Sequence, residues 1–233
     1  MQAIILAAGA GKRMGGSVPK PLLEIDGRPL IIRIIAQLRH HDISEIVVVT
    51  GARKNLIEDA LIPYHIKTVF NPFYVSSDNL VSFWMGQEHI SQTCIMAHAD
   101  IIFEDNLLER LIAAEGDIVL PMDASSIDEE AMKILEVEGR LMDLSKTIPV
   151  EVASGESIPL MKFSYKALQQ LKALTSNVLE SGRFGLYIDD SVLELVQIGN
   201  FETTILDVTG AHWAEIDTQE DLARARSIFN QPR

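Results

Sequence analysis

Short unbroken apolar runs alternate along the chain with stretches in which apolar positions recur every third or fourth residue, and these two periods predict strands and helices respectively. The run Ile4-Ile5-Leu6-Ala7-Ala8 predicts a buried strand that stops at a turn of small residues and glycines. A helix is expected over 29–38, with Pro29 tolerated in its first turn, then a strand over 45–50 closed by Gly51. A helix over 54–61, a strand over 65–70, a helix over 79–89 and a strand over 93–97 follow, with Ser76, Ser77 and Asp78 suited to capping the 79–89 helix. A helix over 106–114 and a strand over 117–121 complete the alternation, which implies a parallel sheet covered on both faces.

The pattern changes after Asp123. Residues 132–137 and 140–144 flank Glu138-Gly139 as a hairpin, 157–163 reads as one strand and 165–174 as a helix. A helix over 189–198 and a strand over 203–208 come next. Thr218-Gln219-Glu220-Asp221 then has the capping-box form that opens a closing helix through Phe229. The middle section reads as an insertion over the open end of the sheet. The expected organisation is therefore a single domain, with a core over 1–121, an insertion over 122–200 and a closing strand and helix over 201–233.

Composition narrows the functional classes. A chain of 233 residues with 47% hydrophobic and 23% charged content is expected to be a soluble globular protein with a well-buried core. No apolar segment is long enough to span a bilayer and no secretion signal is read at the N-terminus, so a cytoplasmic location without membrane partners is expected. A net charge of minus 13 argues against nucleic-acid binding, because a phosphate backbone needs a basic footprint. The single Cys94 lies in an apolar run, which suits a buried thiol rather than a nucleophile. Any anionic ligand must therefore meet local cations.

Such cations follow the first strand. Glycine and alanine leave backbone N–H groups unshielded, so Ala8-Gly9-Ala10-Gly11 can wrap anionic oxygens, with Arg13 and Lys20 supplying positive charge. The alternative is a simple tight turn with solvated cations. Neither a P-loop nor a dinucleotide fingerprint fits the spacing. Asp100 lies just past an apolar strand, at the edge of an open sheet where ligands bind, and Asp217 lies immediately before the closing helix. Taken alone, each is equally a turn or capping acid.

The string Leu6-Ala7-Ala8-Gly9-Ala10-Gly11-Lys12-Arg13-Met14 followed by Pro19-Lys20-Pro21-Leu22 resembles the signature of nucleotidyltransferases that activate sugar phosphates and related acceptors. That resemblance covers nearly the whole chain and implies an α/β fold of GT-A type: a Rossmann-like mixed, mostly parallel sheet with helices on both faces and a small α+β covering insertion. It assigns the nucleotide to Leu6, Ala7, Ala8, Gly9, Ala10, Gly11 and Lys12, catalytic charge to Arg13 and Lys20, and a bound magnesium ion (Mg2+) to Asp100 and Asp217, the latter within Trp213-Ala214-Glu215-Ile216-Asp217. Magnesium prefers one or two carboxylates together with substrate phosphates.

The segment 71–84 is similar to a region of phosphocholine, phosphonate and inositol-phosphate cytidylyltransferases, which implies that Asn79 and Ser82 lie by the cytosine and ribose. Asp78 stands there in place of an asparagine. Ser145-Lys146, the stretch 155–163 and Leu186-Tyr187-Ile188-Asp189-Asp190 resemble the acceptor side of the phosphocholine and phosphonate branch, with Pro159 where glycine is usual. Lys146 and Lys162 are thereby candidates for the acceptor phosphate or phosphonate, and Asp189 and Asp190 for an acceptor ammonium. For each of the four a solvated surface charge is the alternative reading. A quaternary ammonium would draw on an aromatic cage, for which Tyr187, Trp84, Phe184 and Trp213 are available; packing is the alternative for Trp84.

The expected function is magnesium-dependent transfer of CMP from CTP to phosphocholine or a phosphonate such as 2-aminoethylphosphonate, with release of pyrophosphate. A sugar-1-phosphate or inositol-phosphate nucleotidyltransferase is the rival enzyme, and an inactive nucleotide-binding regulatory subunit is the rival of another class. The presence of Arg13, Lys20, Asp100 and Asp217 weighs against the last. A homodimer is allowed for.

Overall fold

A computed structural model describes residues 1–14 and 18–229. The first half alternates as the apolar periods require: β1 (Gln2–Ala7), the short pair β2 (Glu24–Ile25) and β3 (Arg28–Pro29), α1 (Leu30–His40), β4 (Ile46–Thr50), α2 (Lys54–Leu61), β5 (Lys67–Phe70), α3 (Asn79–Gln87), β6 (Cys94–His98), β7 (Ile101–Phe103), α4 (Asp105–Ala113) and β8 (Ile118–Asp123). The second half runs β9 (Lys133–Val137), β10 (Arg140–Ser145), β11 (Gly155–Ser157), β12 (Leu160–Phe163), α5 (Tyr165–Glu180), α6 (Ile188–Gln197), β13 (Thr203–Asp207), β14 (Trp213–Glu215) and α7 (Gln219–Phe229).

Among the described residues ten strands form one sheet, ordered β10-β9-β11-β8-β12-β6-β1-β4-β5 with β13 beside β8. Strands β1, β4, β5, β6, β8, β9 and β13 run one way and β10, β11 and β12 the other, so the sheet is mixed and mostly parallel. Side chains of a strand point alternately to its two faces, and in β1 both faces are apolar. Ile4 and Leu6 join a core with residues of α3, α5 and α6, while Ala3, Ile5 and Ala7 join one with residues of α1, α2 and α4. Burying each large side chain contributes about 1.5–3 kcal/mol. A third cluster packs α7 against β14 through Ala214, Ile216, Leu222 and Ala225. No helix among the described residues is long and apolar enough to cross a membrane.

Three local expectations change. The segment 157–163 is two strands, because Pro159 has no N–H to donate to a ladder. Its carbonyl accepts from His98 N–H at 3.0 Å, and Leu160 N–H turns back onto Ile158 O at 2.7 Å. The hydroxyls of Ser76 and Ser77 donate to Phe73 O rather than capping α3, and Asp78 makes no side-chain cap bond. Helix α5 extends well beyond Leu174. There Thr175 is buried against Gln87 and Ser176 meets Trp84, so polar residues in the last turns face the core instead of ending the helix.

Cys94 is buried as expected, and burial pushes its thiol up to about 12. The capping box at Thr218 and Asp221 is present, with Asp221 Oδ2 accepting from Thr218 N–H at 2.8 Å and Asp221 N–H donating to Thr218 Oγ1 at 3.2 Å.

Ser164 ties α5 to the start of β8, since its hydroxyl accepts from Ala167 N–H at 3.1 Å and donates to Asp117 Oδ1 at 2.6 Å. Replacing Ser164 by Ala should lower stability by about 1–2 kcal/mol through loss of the cap and of that bond. A lower urea midpoint at unchanged slope would show this, and a midpoint equal to that of the natural chain would refute it.

Candidate active site

Parallel strands end at a common edge, and in this sheet β1, β4 and β6 bring Ala7, Thr50 and His98 there side by side. The turn after β1 is pinned from both neighbours. Ala99 N–H donates to Leu6 O at 3.0 Å and Ala52 N–H to Ala8 O at 3.1 Å. Leu6, Ala7 and Ala8 are buried in this anchored part, and Gly9 and Ala10 are exposed with their backbone open to a ligand. Gly11 adopts φ of 59°, a left-handed conformation that favours glycine, and a Cβ there would stand 3.3 Å from Lys20 Cγ. The turn Lys12–Met14 closes with Met14 N–H on Gly11 O at 3.1 Å. Residues 15–17 and the Lys12 side chain lie outside the described residues, so the nucleotide expectation for Lys12 rests on its backbone position alone.

Lys20 reaches back under this turn from the short helical turn Lys20–Leu22, whose Pro21 is buried. Its Nζ donates to Asp100 Oδ2 at 3.2 Å and to Asp217 Oδ1. Burial opposes the charge of Lys20, but the two carboxylates outweigh it and hold the ammonium above its ordinary pKa. Arg13 adds a second cation, with Nη2 2.6 Å from Asp217 Oδ2 and Nη1 3.0 Å from Glu130 Oε2. Leu6, Gly9, Gly11, Lys20, Pro21 and Asp100 line a cleft of about 50 Å³. A separate open groove of about 440 Å³ is lined by Gly51, Arg53, Lys54, Phe70 and Tyr74, and a Cβ at Gly51 would come 2.4 Å from Ala8 O.

Glu215, absent from the sequence-level candidates, belongs to the same cluster. It precedes Asp217 by two residues, a spacing that places both on one side of an extended segment and was available in the sequence. Burial and the charges of Asp100 and Asp217 push its carboxyl up to about 8, against the pull of Lys20 and Lys146. One ligand atom each from His98, Asp100 and Glu215 lie within 4.8 Å of one another. Asp100 and Glu215 supply oxygen donors suited to a hard divalent cation, whereas Asp217, held by Lys20 and Arg13, lies outside this trio and could join it only by giving up those partners.

At His98 meet Asn79, expected beside the cytosine and ribose, and Asp189, expected at the acceptor. Asn79 Nδ2 donates to His98 Nε2 at 3.2 Å, and its Oδ1 accepts from Ile188 N–H at 2.8 Å, which ties α6 to the end of β6. Asp189 is buried, its carboxyl raised by burial and drawn down by His98 and Lys146. Lys146 Nζ stands 5.2 Å from the centre of the Tyr187 ring.

Three expected site residues do other work. Ser82 is buried and accepts from Asn71 Nδ2 at 3.0 Å, so it holds the 71–78 loop instead of facing a ligand. Asp190 caps α6, its Oδ2 accepting from Tyr187 N–H at 2.8 Å. Lys162 sits in register with Ile95 and Val119, toward the opposite edge of the sheet, where its Nζ donates to Ile112 O at 3.1 Å and to Ala114 O at the end of α4. A lysine there satisfies helix carbonyls and does not reach the acceptor.

Comparison with known proteins places this geometry in context. The chain is 26% identical over 252 residues to the CMP-5'-(3-aminopropyl)phosphonate synthase of Streptomyces rubellomurinus, covering 100% of this chain but only 39% of that protein. It is 26% identical over 249 residues to the CTP:phosphoglutamine cytidylyltransferase of Campylobacter jejuni, covering 95% of this chain and 98% of that one. The structure of the inositol-1-phosphate CTP transferase from T. maritima superposes with a TM-score of 0.80 at 23% identity, covering 98% of this chain and 94% of that one. The two folds are thus the same. Residues 3–184 match the MobA-like NTP transferase domain, and the chain belongs to that family.

Proposed function

We propose that the protein is a cytidylyltransferase that moves CMP from CTP to phosphocholine or a related phosphonate such as 2-aminoethylphosphonate, in a magnesium-dependent reaction that releases pyrophosphate. The observation that carries this reading is Lys20, clamped between Asp100 and Asp217 beneath a glycine turn whose backbone is open. It is supported by cytidylyltransferases among the relatives.

An acceptor phosphate or phosphonate oxygen attacks the α-phosphorus, forming one P–O bond while the bond to the bridging oxygen breaks and pyrophosphate leaves. Its attacking oxygen is already an anion, so no side chain has to take a proton from it. Positioning and charge neutralisation then carry the reaction. The backbone of Ala8 to Gly11 cradles phosphate oxygens, and Lys20 and Arg13 exchange carboxylate partners for the charge that grows toward the leaving group. Asp100, Glu215 and Asp217 would hold magnesium, which supplies further neutralisation of the phosphates. Lys146 orients the acceptor.

Changing Lys20 to Ala should lower turnover about 100-fold or more while shifting the melting temperature only slightly. Turnover equal to that of the natural chain would contradict its role. Asp217→Asn should abolish magnesium-dependent turnover and weaken magnesium binding measured by calorimetry in the presence of CTP, with the fold retained by circular dichroism; normal magnesium affinity would rule out the metal assignment. The decisive experiment is a screen of each nucleoside triphosphate against phosphocholine, 2-aminoethylphosphonate, inositol 1-phosphate and sugar 1-phosphates, read by pyrophosphate release. CTP binding without release for any acceptor would favour a nucleotide-binding regulatory role instead.

A further inference from the structure

Resting on the cytidylyl-transfer reading, we infer that the acceptor carries a hydrogen-bonding primary ammonium a few atoms from its phosphorus, and that Lys146 over Tyr187 together with buried Asp189 discriminates against a quaternary ammonium. A quaternary ammonium has no N–H to donate. It is bound through aromatic faces that surround it, and the attraction is strong only when those faces are desolvated and free of other cations.

Of the four aromatic candidates, Phe184 is half-exposed at the surface, where its face is not desolvated, and the other three already have partners. Trp84 packs with the core that contains α3 and α5 and donates its Nε1–H to Ser176 Oγ at 3.0 Å. Trp213 packs on the opposite side of the sheet and donates its Nε1–H to Asp123 Oδ2 at 2.7 Å. Tyr187 remains beside the site, and what stands over its ring is already a cation, the Lys146 ammonium at 5.2 Å. A trimethylammonium brought to the same ring would meet like charge.

Past Tyr187 the wall is polar. Asn79 and His98 are joined at 3.2 Å, and Asp189 is 6% exposed, under the influence of His98 and Lys146 from the site side and of Asp190 from its own helix. A primary ammonium can donate to a carboxylate at close range, and such a charge-assisted bond is among the stronger polar contacts. Lys146 acts on the charges of both Glu215 and Asp189, and on this inference Lys146 takes the phosphorus end and Asp189 the amine.

The test compares 2-aminoethylphosphonate with its N,N,N-trimethyl analogue, two acceptors that differ only at the head, using the full chain with CTP, magnesium and pyrophosphate readout. The natural chain should favour the primary amine about 10- to 100-fold in kcat/KM, chiefly through KM. Asp189→Asn should raise KM for the amine, leave kcat within about twofold and narrow the gap between the two acceptors. Lys146→Met, which uncovers the Tyr187 ring, should shift the ratio toward the trimethyl compound even as both slow. Equal use of the two acceptors by the natural chain, or preference for the trimethyl analogue, overturns the inference while leaving cytidylyl transfer intact. Pyrophosphate release with inositol 1-phosphate but with neither ammonium acceptor does the same. No release with any acceptor overturns the function and the inference together.

Discussion

The ion cluster of Lys20 with Asp100 and Asp217 draws together three segments far apart in the chain. Lys20 comes from the turn after β1, Asp100 from the end of β6 and Asp217 from the segment joining β14 to α7. Each is held by its own local device: buried Pro21 behind Lys20, the bond of Ala99 to Leu6 behind Asp100, and the capping box of α7 behind Asp217. None of these devices involves a ligand. The cations and carboxylates thus reach their positions through folding, as a preorganised set of charges.

The cluster repeats in miniature the net charge of minus 13, since its carboxylates outnumber Lys20 and Arg13. A global field of that sign repels triphosphates, and salt screens it over about 10 Å. Lys20 is largely buried, where its interactions are stronger than at the surface, whereas the Arg13 pair with Glu130 is exposed and contributes little to stability. The surplus of carboxylates around Lys20 leaves Glu215 with a raised pKa, a frustration that a divalent cation would relieve.

The glycine turn, its two cations and the alternating strands were legible because each depends on neighbours in sequence: apolar period, small residues and a fixed spacing of charge. Asp100 and Asp217 were legible through motif resemblance, and the structure joins them at one ammonium. Glu215 was missed although its two-residue offset from Asp217 was visible, because a carboxylate in a strand announces nothing until its neighbours are placed. Lys162 and Ser82 illustrate the converse, since a lysine that satisfies helix carbonyls and a serine that braces a loop read like ligand-binding residues in one dimension. Pro159 divides a strand for a reason written in its own chemistry, yet the use of its carbonyl by His98 required the fold.

Strand β6 has a parallel neighbour, β1, on one side and an antiparallel neighbour, β12, on the other. It is a seam between two styles of sheet. On the β1 side the strand ends around the glycine turn are locked by shared register. On the β12 side the connections are hairpins and helices that can lengthen or change without shifting that register. Such a seam lets the parallel half of the sheet stay fixed while the segments beyond β12 diversify.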